Sequence, residues 1–242
     1  MKIFVTGGTG YLGANFINHA LKKNYKIYAT TRRKKNIRKK NLFWLKGPID
    51  KNWHELKQCE ILVHLASEGV YRKFTSFRKC YSYNVNASLK LLENCIKAKC
   101  LKWILIGSCF EKSIKNFTDL EKELKKGKKL PFHNYAMSKF IFAKKSFEIA
   151  KKNNIKCRLL KLFHVYGKNE NKDRLWPSLI NAAKKNKNFY MTKGEQIRDF
   201  CYIDNVVSSL LDTLNFQHNG KNFPQKWDFA TGKKKSVKKF AK

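Results

Sequence analysis

The chain begins with a short apolar strand, Lys2–Thr6, that runs directly into Gly7-Gly8-Thr9-Gly10-Tyr11-Leu12-Gly13 and then into an amphipathic helix over Tyr11–Lys23. Three glycines at three-residue spacing between a strand and a helix leave few folds open. Gly7 permits a tight turn out of the strand, Gly10 lets backbone approach a pyrophosphate, and Gly13 lets the helix lie close on the sheet. Tyr11 and Leu12 open that helix, whose free N–H groups carry partial positive charge toward an anion. The segment is expected to cradle a dinucleotide.

At 242 residues the chain is long enough to bury a sizeable core, and 43% hydrophobic with 14% aromatic content argues against disorder. No apolar run reaches membrane-spanning length, and the N-terminus lacks a signal-peptide pattern. The seven cysteines are odd in number and form no Cys-x-x-Cys pair, and the six histidines are scattered. A reduced, cytoplasmic, metal-free protein is the expectation. The net charge of +36 is carried by lysines along the whole length, in pairs such as Lys22-Lys23, Lys125-Lys126 and Lys151-Lys152. Such pairs read as solvated helix faces, so no nucleic-acid partner is expected, although a charge of this size leaves one open.

Strand-like runs at Lys2–Thr6, Lys26–Thr30, Leu42–Leu45, Glu60–Ala66, Lys102–Gly107 and Cys157–Phe163 alternate with helical patterns at Tyr11–Lys23, Phe77–Lys97 and Met137–Lys152. That alternation predicts an α/β fold with a doubly wound parallel sheet, ligands collecting at the strands' carboxyl ends. Beyond Gly167 it weakens to a helix over Arg174–Lys187, a short strand over Asn188–Thr192 and a helix over Asp204–Phe216. The expected division is a nucleotide-binding domain over 1–166 and a small substrate lobe over 167–242.

Tyr135-Ala136-Met137-Ser138-Lys139 sets a phenol and an ammonium four residues apart, on one face of a helix. A neighbouring cation favours the phenolate, so Lys139 is expected to lower the pKa of Tyr135. Ser108, at the end of the apolar strand Lys102–Gly107, can hold the same substrate oxygen that Tyr135 protonates.

The chain resembles the extended short-chain dehydrogenases/reductases, the nucleotide-sugar epimerase/dehydratase group. The resemblance rests on the glycine turn, Val63-His64-Leu65-Ala66-Ser67, Asn84-Val85-Asn86, Ser108, Tyr135-x-x-x-Lys139, Leu162-Phe163-His164-Val165-Tyr166-Gly167 and Ile197-Arg198-Asp199-Phe200-Cys201-Tyr202-Ile203-Asp204. It implies a Rossmann-type fold, a Ser108/Tyr135/Lys139 catalytic triad with Lys139 also on the nicotinamide ribose, and His64-Leu65-Ala66 along the cofactor. It further implies cofactor contacts from Ser67, Asn84, Phe163 and Val165, and a nucleotide sugar facing His164, Arg174 and Arg198. A homodimer built on Phe77–Lys97 and Met137–Lys152 is implied as well.

Departures from the family pattern narrow the choice. Its sugar 4,6-dehydratases carry Asp-Glu after the catalytic hydroxyl; here Cys109-Phe110 follow Ser108, and Glu111 comes one position later, where it would point elsewhere. The second strand ends in Thr31-Arg32-Arg33 with no acid, which suits a 2′-phosphate, so NADP(H) is favoured over NAD(H). Gly47-Pro48-Ile49 lacks the usual acid, leaving Ile49 as the adenine contact. The run from Leu162 through Phe200 looks most like the branch that reduces nucleotide-linked 4-keto-6-deoxy sugars, such as CDP-abequose and paratose synthases. The expected function is that NADPH-dependent reduction, in nucleotide-sugar and surface-polysaccharide biosynthesis. The alternatives are an NAD-dependent 4-epimerase and a non-catalytic RNA- or polyanion-binding descendant. Relatives continue beyond the position of Lys242, so the lobe is expected to be incomplete and its tail beyond Gly232 to fray.

Overall fold

The computed structural model describes residues 1–33, 39–70, 75–113, 133–216 and 223–242; the pair Lys125-Lys126 lies outside them. The first part of the chain gives β1 (Lys2–Thr6), α1 (Tyr11–Lys22), β2 (Lys26–Thr31), β3 (Leu42–Lys46), β4 (Ile61–His64), α2 (Phe77–Tyr81), α3 (Ser88–Lys97) and β5 (Lys102–Ser108). There follow α4 (His133–Lys152), β6 (Lys156–Leu162), β7 (His164–Tyr166), α5 (Leu175–Lys184), β8 (Ile197–Tyr202), α6 (Ile203–Asp212), β9 (Gln225–Phe229), β10 (Lys234–Ser236) and α7 (Val237–Ala241).

Seven strands form one sheet in the order β3-β2-β1-β4-β5-β6-β9, every pair parallel. This is the doubly wound Rossmann-type sheet, and its order reverses between β1 and β4, where such sheets open a crevice. The inner strands β1, β2, β4 and β5 are buried and mainly apolar because both their faces are covered, whereas β6 carries Arg158 and Lys161 and the edge strands β3 and β9 are partly exposed. Alternate residues divide between the two sides: Ile3, Val5, Ile27 and Val63 pack with α1 and α6, whereas Phe4, Leu62, Leu105 and Leu159 pack with α3 and α4. The largest fully buried side chain, Trp103, donates its indole N–H to the Cys100 carbonyl at 2.8 Å.

Several expected elements changed. The helix expected over Phe77–Lys97 is divided by a π-helical turn at Ser82–Ala87. The run Cys157–Phe163 ends in the main sheet at Leu162, and the chain then enters a second sheet, β10-β8-β7. The residues Asn188–Thr192, expected to form a strand, have no regular structure and pair with none of the described strands.

The expected boundary at residue 166 is also crossed by the later chain. Helix α6 lays Val207, Leu210 and Leu211 on the same sheet face as α1, and β9 pairs with β6 through Leu160 and Trp227. Both elements need cover for an apolar side that a small lobe could not supply. Among the described residues, α5, β7, β8, β10 and α7 lie outside the main sheet and its flanking helices.

The expected fraying beyond Gly232 is reversed. Strand β10 pairs antiparallel with β8, and Ser236 caps α7 by accepting from Lys239 N–H at 3.1 Å. The Phe240 ring stacks on Phe200 at 3.8 Å and 8° and stands edge-on to Tyr166 at 4.8 Å. Phe240→Ala should therefore release the tail, at a cost of roughly 2–3 kcal/mol of local docking energy. Limited trypsin digestion should cut faster at Lys233–Lys235, with the main thermal transition nearly unchanged.

Candidate active site

A cleft of about 1050 Å³ runs along the carboxyl ends of the strands, from the glycine turn to the second sheet. At its head, a Cβ on Gly13 would sit 2.2 Å from the Gly7 carbonyl, and one on Gly7, at φ +70, would lie 2.6 Å from Ala66 N. Gly10, by contrast, faces open space apart from the Gly7 carbonyl at 3.2 Å. Gly10 is also the N-cap of α1, with no side chain capping the first turn and no acid within it. Gly7, Gly10 and Gly13, together with Tyr11 and Leu12, line this end of the cleft. The cradle fits the pyrophosphate of a dinucleotide: free N–H groups, partial positive charge and no side chain in the way.

Around it lie most of the other expected cofactor contacts. Thr31 and Arg32 reach the cleft from the end of β2, Ile49 from the turn after β3, Leu65, Ala66 and Ser67 from the end of β4, and Phe163 and Val165 from the β6–β7 junction. Arg33 and Asn84 are not among the lining residues. Arg33 is exposed, and its main chain closes a small turn with Thr31, whose Oγ1 donates to the Arg33 carbonyl at 2.8 Å. Asn84 is buried in the π turn. Its amide accepts from Glu68 N–H at 2.8 Å and donates to Ser138 Oγ at 2.8 Å, tying the loop after β4 to α4.

His64, expected along the cofactor, turns inward instead. Its Nδ1 lies 2.7 Å from Thr6 Oγ1, and its Nε2 lies 3.0 Å from Ser88 Oγ. Thr6 accepts from Ala66 N–H and Ser88 donates to the Tyr83 carbonyl. That chain assigns a neutral ring protonated at Nε2, with Nδ1 an acceptor. Burial, reinforced by Lys139, pushes the imidazole pKa down to about 3.

The chemical centre lies where β5 meets α4. Ser108, Tyr135 and Lys139 all line the cleft, and the Tyr135 phenol is in hydrogen-bonding reach of the Ser108 and Ser67 hydroxyls. The expected lowering of its pKa by Lys139 is not what the structure gives. Burial, aided by the charge of Glu111, pushes the Tyr135 phenol up to about 12 despite those two hydroxyls. Lys139 is itself brought down to about 8 by burial, with Glu111 opposing the fall. Glu111 turns away from the cleft, as expected, but into the interior rather than to solvent: it is 2% exposed, and its Oε1 accepts from Ser108 N–H at 2.7 Å. Phe110, in the position next to it, lines the cleft and stands edge-on to the His164 ring at 5.6 Å.

His164, Arg174 and Arg198 also come together. Burial first, and then the charges of Arg198 and Arg174, hold the His164 imidazole pKa down to about 4, with Asp199 opposing. The Nδ1 of His164 is buried without a hydrogen-bond partner, as are Glu170 Oε2 and the Tyr11 hydroxyl. Glu170 pairs with Arg174 at 3.4 Å. Three orphaned polar atoms around one cleft fit a polar ligand better than a sealed core.

Sequence reasoning missed the aromatic wall of the outer cleft, made by Tyr166, Trp176, Phe200 and Phe240. The alternation of Tyr166 with His164 in β7, and of Phe200 with Arg198 in β8, was its available signal. It also missed the inward turn of Glu111, for which a three-residue return to the Ser108 amide was the only clue.

Comparison with known proteins decides the family. Residues 3–224 match the NAD dependent epimerase/dehydratase family. The chain belongs to that family. Among curated relatives, CDP-abequose synthase of Salmonella muenchen is 28% identical over 98% of this chain and 76% of its own length. A putative UDP-glucose 4-epimerase of Methanocaldococcus jannaschii is 24% identical over 97% of this chain and 78% of its own length. Among solved structures, a UDP-glucose 4-epimerase from Thermotoga maritima with UDP-glucose superposes with a TM-score of 0.79 at 20% identity, covering 100% of this chain and 80% of that one. A dTDP-glucose 4,6-dehydratase from Bacillus anthracis in complex with NAD does so with a TM-score of 0.79 at 20% identity, covering 100% and 78%. Family membership makes this chain an NAD(P)-dependent enzyme of the extended short-chain dehydrogenase/reductase type.

The state of His64 generates a pH dependence. The unfolded imidazole takes a proton near 6.5 and the folded one only near about 3. Between those values the unfolded state binds more protons, so stability present above pH 6.5 is lost as pH falls. Urea melts at pH 5 should show about 2 kcal/mol less stability from this group than at pH 7, at 1.36 kcal/mol per unit. His64→Gln should flatten that slope.

Proposed function

We propose that the enzyme reduces a nucleotide-linked 4-keto-6-deoxy sugar at the expense of NADPH. The observation that carries this reading is a Tyr135 phenol flanked by Ser108 and Ser67, with the Phe110 ring lining the cleft and Glu111 turned inward, away from it. A buried phenol pushed up to about 12 is loaded with its proton at neutral pH, as a donor to a carbonyl oxygen must be. The similarity to CDP-abequose synthase over nearly the whole chain supports the same substrate class.

When bound, the nicotinamide supplies hydride to the keto carbon. The residues of the chain do the rest. Tyr135 Oη gives its proton to the carbonyl oxygen as that oxygen gains charge, and Ser108 Oγ donates a hydrogen bond to the same oxygen. Lys139 holds the nicotinamide ribose and, as an ammonium, the charge left on Tyr135. Gly10 and the first turn of α1 hold the pyrophosphate, and Arg32 the adenosine 2′-phosphate, with Arg33 beside it. His164, Arg174 and Arg198 hold the sugar nucleotide through its diphosphate, which two guanidiniums suit. With Cys109-Phe110 where the sugar 4,6-dehydratases carry Asp-Glu, the site lacks that acid–base pair for removing water.

Tyr135→Phe should lower turnover of a nucleotide 4-keto-6-deoxy sugar by about 10²-fold or more while NADPH still binds, because ring and packing survive. Normal turnover in that variant would overturn the triad. Arg32→Ser should weaken NADPH binding by about tenfold or more, one charge-assisted hydrogen bond being worth ~1.5–3 kcal/mol, and leave NADH affinity unchanged. Equal affinity of the native protein for NADH, or NAD copurifying with it, would favour the 4-epimerase instead.

A further inference from the structure

Beneath the triad lies a buried charge that the proposed chemistry does not use. The residues Cys109–Ser113 form a short 3-10 turn at the end of β5. From that turn Glu111 folds back under the strand end. One carboxylate oxygen accepts from Ser108 N–H at 2.7 Å, and the other lies 3.3 Å from Lys161 Nζ of β6, with the two side chains 1% and 10% exposed. Lys161 stands beside Gly107 in the β5–β6 register. A Cβ on Gly107 would meet the Glu111 carboxylate at 2.6 Å and Lys161 Cγ at 3.2 Å, so the missing side chain is what makes room for the pair. The next residue, Lys112, bridges outward to Asp228 of β9 and fixes the turn from its other side.

A buried ion pair costs desolvation that its own attraction does not reliably recover, so its persistence here calls for a further role. Among the described residues, the titratable and charged groups that interact with this carboxylate are Lys161 from β6, Tyr135 and Lys139 from α4, and Cys109 of its own turn. The two from α4 are the acid and the ammonium of the proposed reduction. We propose that Glu111 is a positioning residue of the site: its carboxylate, held between Ser108 N–H and Lys161 Nζ in the space that Gly107 leaves, fixes the Ser108 strand end and serves as the buried counter-charge of the Tyr135–Lys139 pair. The inference rests on the reductase reading for its consequence, but the counter-charge itself can be measured without turnover.

Lys139 gives the direct readout, since burial brings its pKa down to about 8 and separates it from solvated lysines near ~10.4. In native protein labelled at lysine 13Cε, the signal that titrates near pH 8 should vanish in Lys139→Met. Glu111→Gln should move that midpoint down by about one pH unit or more, because the neighbouring anion is gone. Glu111→Gln combined with Lys161→Met separates the carboxylate's own effect from that of a stranded ammonium, and it removes the unpaired charge that threatens folding of the single variant. A downward shift in the double variant supports the proposal. An unchanged midpoint there, whether or not the single variant shifts, overturns it.

With a nucleotide 4-keto-6-deoxy sugar and NADPH, the high-pH limb of kcat should fall by the same interval while KM changes little. A purely structural Glu111 would lower kcat without moving the limb. Native protein that turns over no such sugar, yet shows the Lys139 shift, would sink the reductase reading and leave the counter-charge standing.

Discussion

The cleft exists because α1 lies against the end of β1 with nothing between them. A methyl group on Gly13 would stand 2.2 Å from the Gly7 carbonyl, so any side chain there would force the helix off the sheet. Moving α1 would carry off Tyr11 and Leu12 and uncover the apolar side that α6 shares with it. The parallel sheet then does the rest. Seven strands running one way bring all their carboxyl ends to the same edge, where the cleft opens. Ser67, Ser108 and the β6–β7 junction meet the glycine turn for that reason alone.

Charge is distributed with similar economy. Against 53 lysines and arginines the chain has 17 acids, yet Glu111, Glu170 and Asp199 are spent in or beside the cleft. Burial alone would push the Asp199 carboxyl up, but hydrogen bonds from Thr231 and Gly232 outweigh it and hold the group below its ordinary value. Glu111 and Asp199 are matched by partners from distant segments, Lys161 for the one and Thr231 with Gly232 for the other, whereas Glu170 pairs with Arg174 four residues on. Among the described residues most lysines are exposed, where solvent and salt screen their charge, with Lys139 and Lys161 the buried exceptions.

The sheet was readable because its signals are local: an apolar run, a glycine turn, a helix of the right period. Most of the cleft was readable for the same reason, since Ser108, Leu65 and Arg32 sit just past strand ends. What escaped depends on contacts between distant segments. The π turn that buries Asn84 is set by Glu68 and Ser138, which no periodicity within Phe77–Lys97 encodes. The inward turn of Glu111 depends on Lys161, fifty positions later in sequence. Tyr135 was expected to be acidified by a lysine four residues on; burial proved the larger effect, and burial of a helix face is a tertiary property.

The lobe illustrates the same limit and shows how it is held. Helix α6 (Ile203–Asp212) packs on the main sheet and strand β9 (Gln225–Phe229) pairs within it, although both lie between two parts of the lobe in sequence. The chain leaves the sheet at the end of β6, returns through α6 and β9, and leaves it again toward β10. Asp199 of β8 grips that last exit, accepting from Thr231 N–H and Oγ1 and from Gly232 N–H at 2.8–2.9 Å. The grip sets β10 in register with β8, which in turn brings Phe240 onto Phe200 and completes the aromatic side of the cleft. A carboxylate one residue from Arg198 thus gives β8 two tasks on alternate faces: Arg198 and Phe200 line the cleft, while Asp199 and Cys201 anchor the strand within the fold.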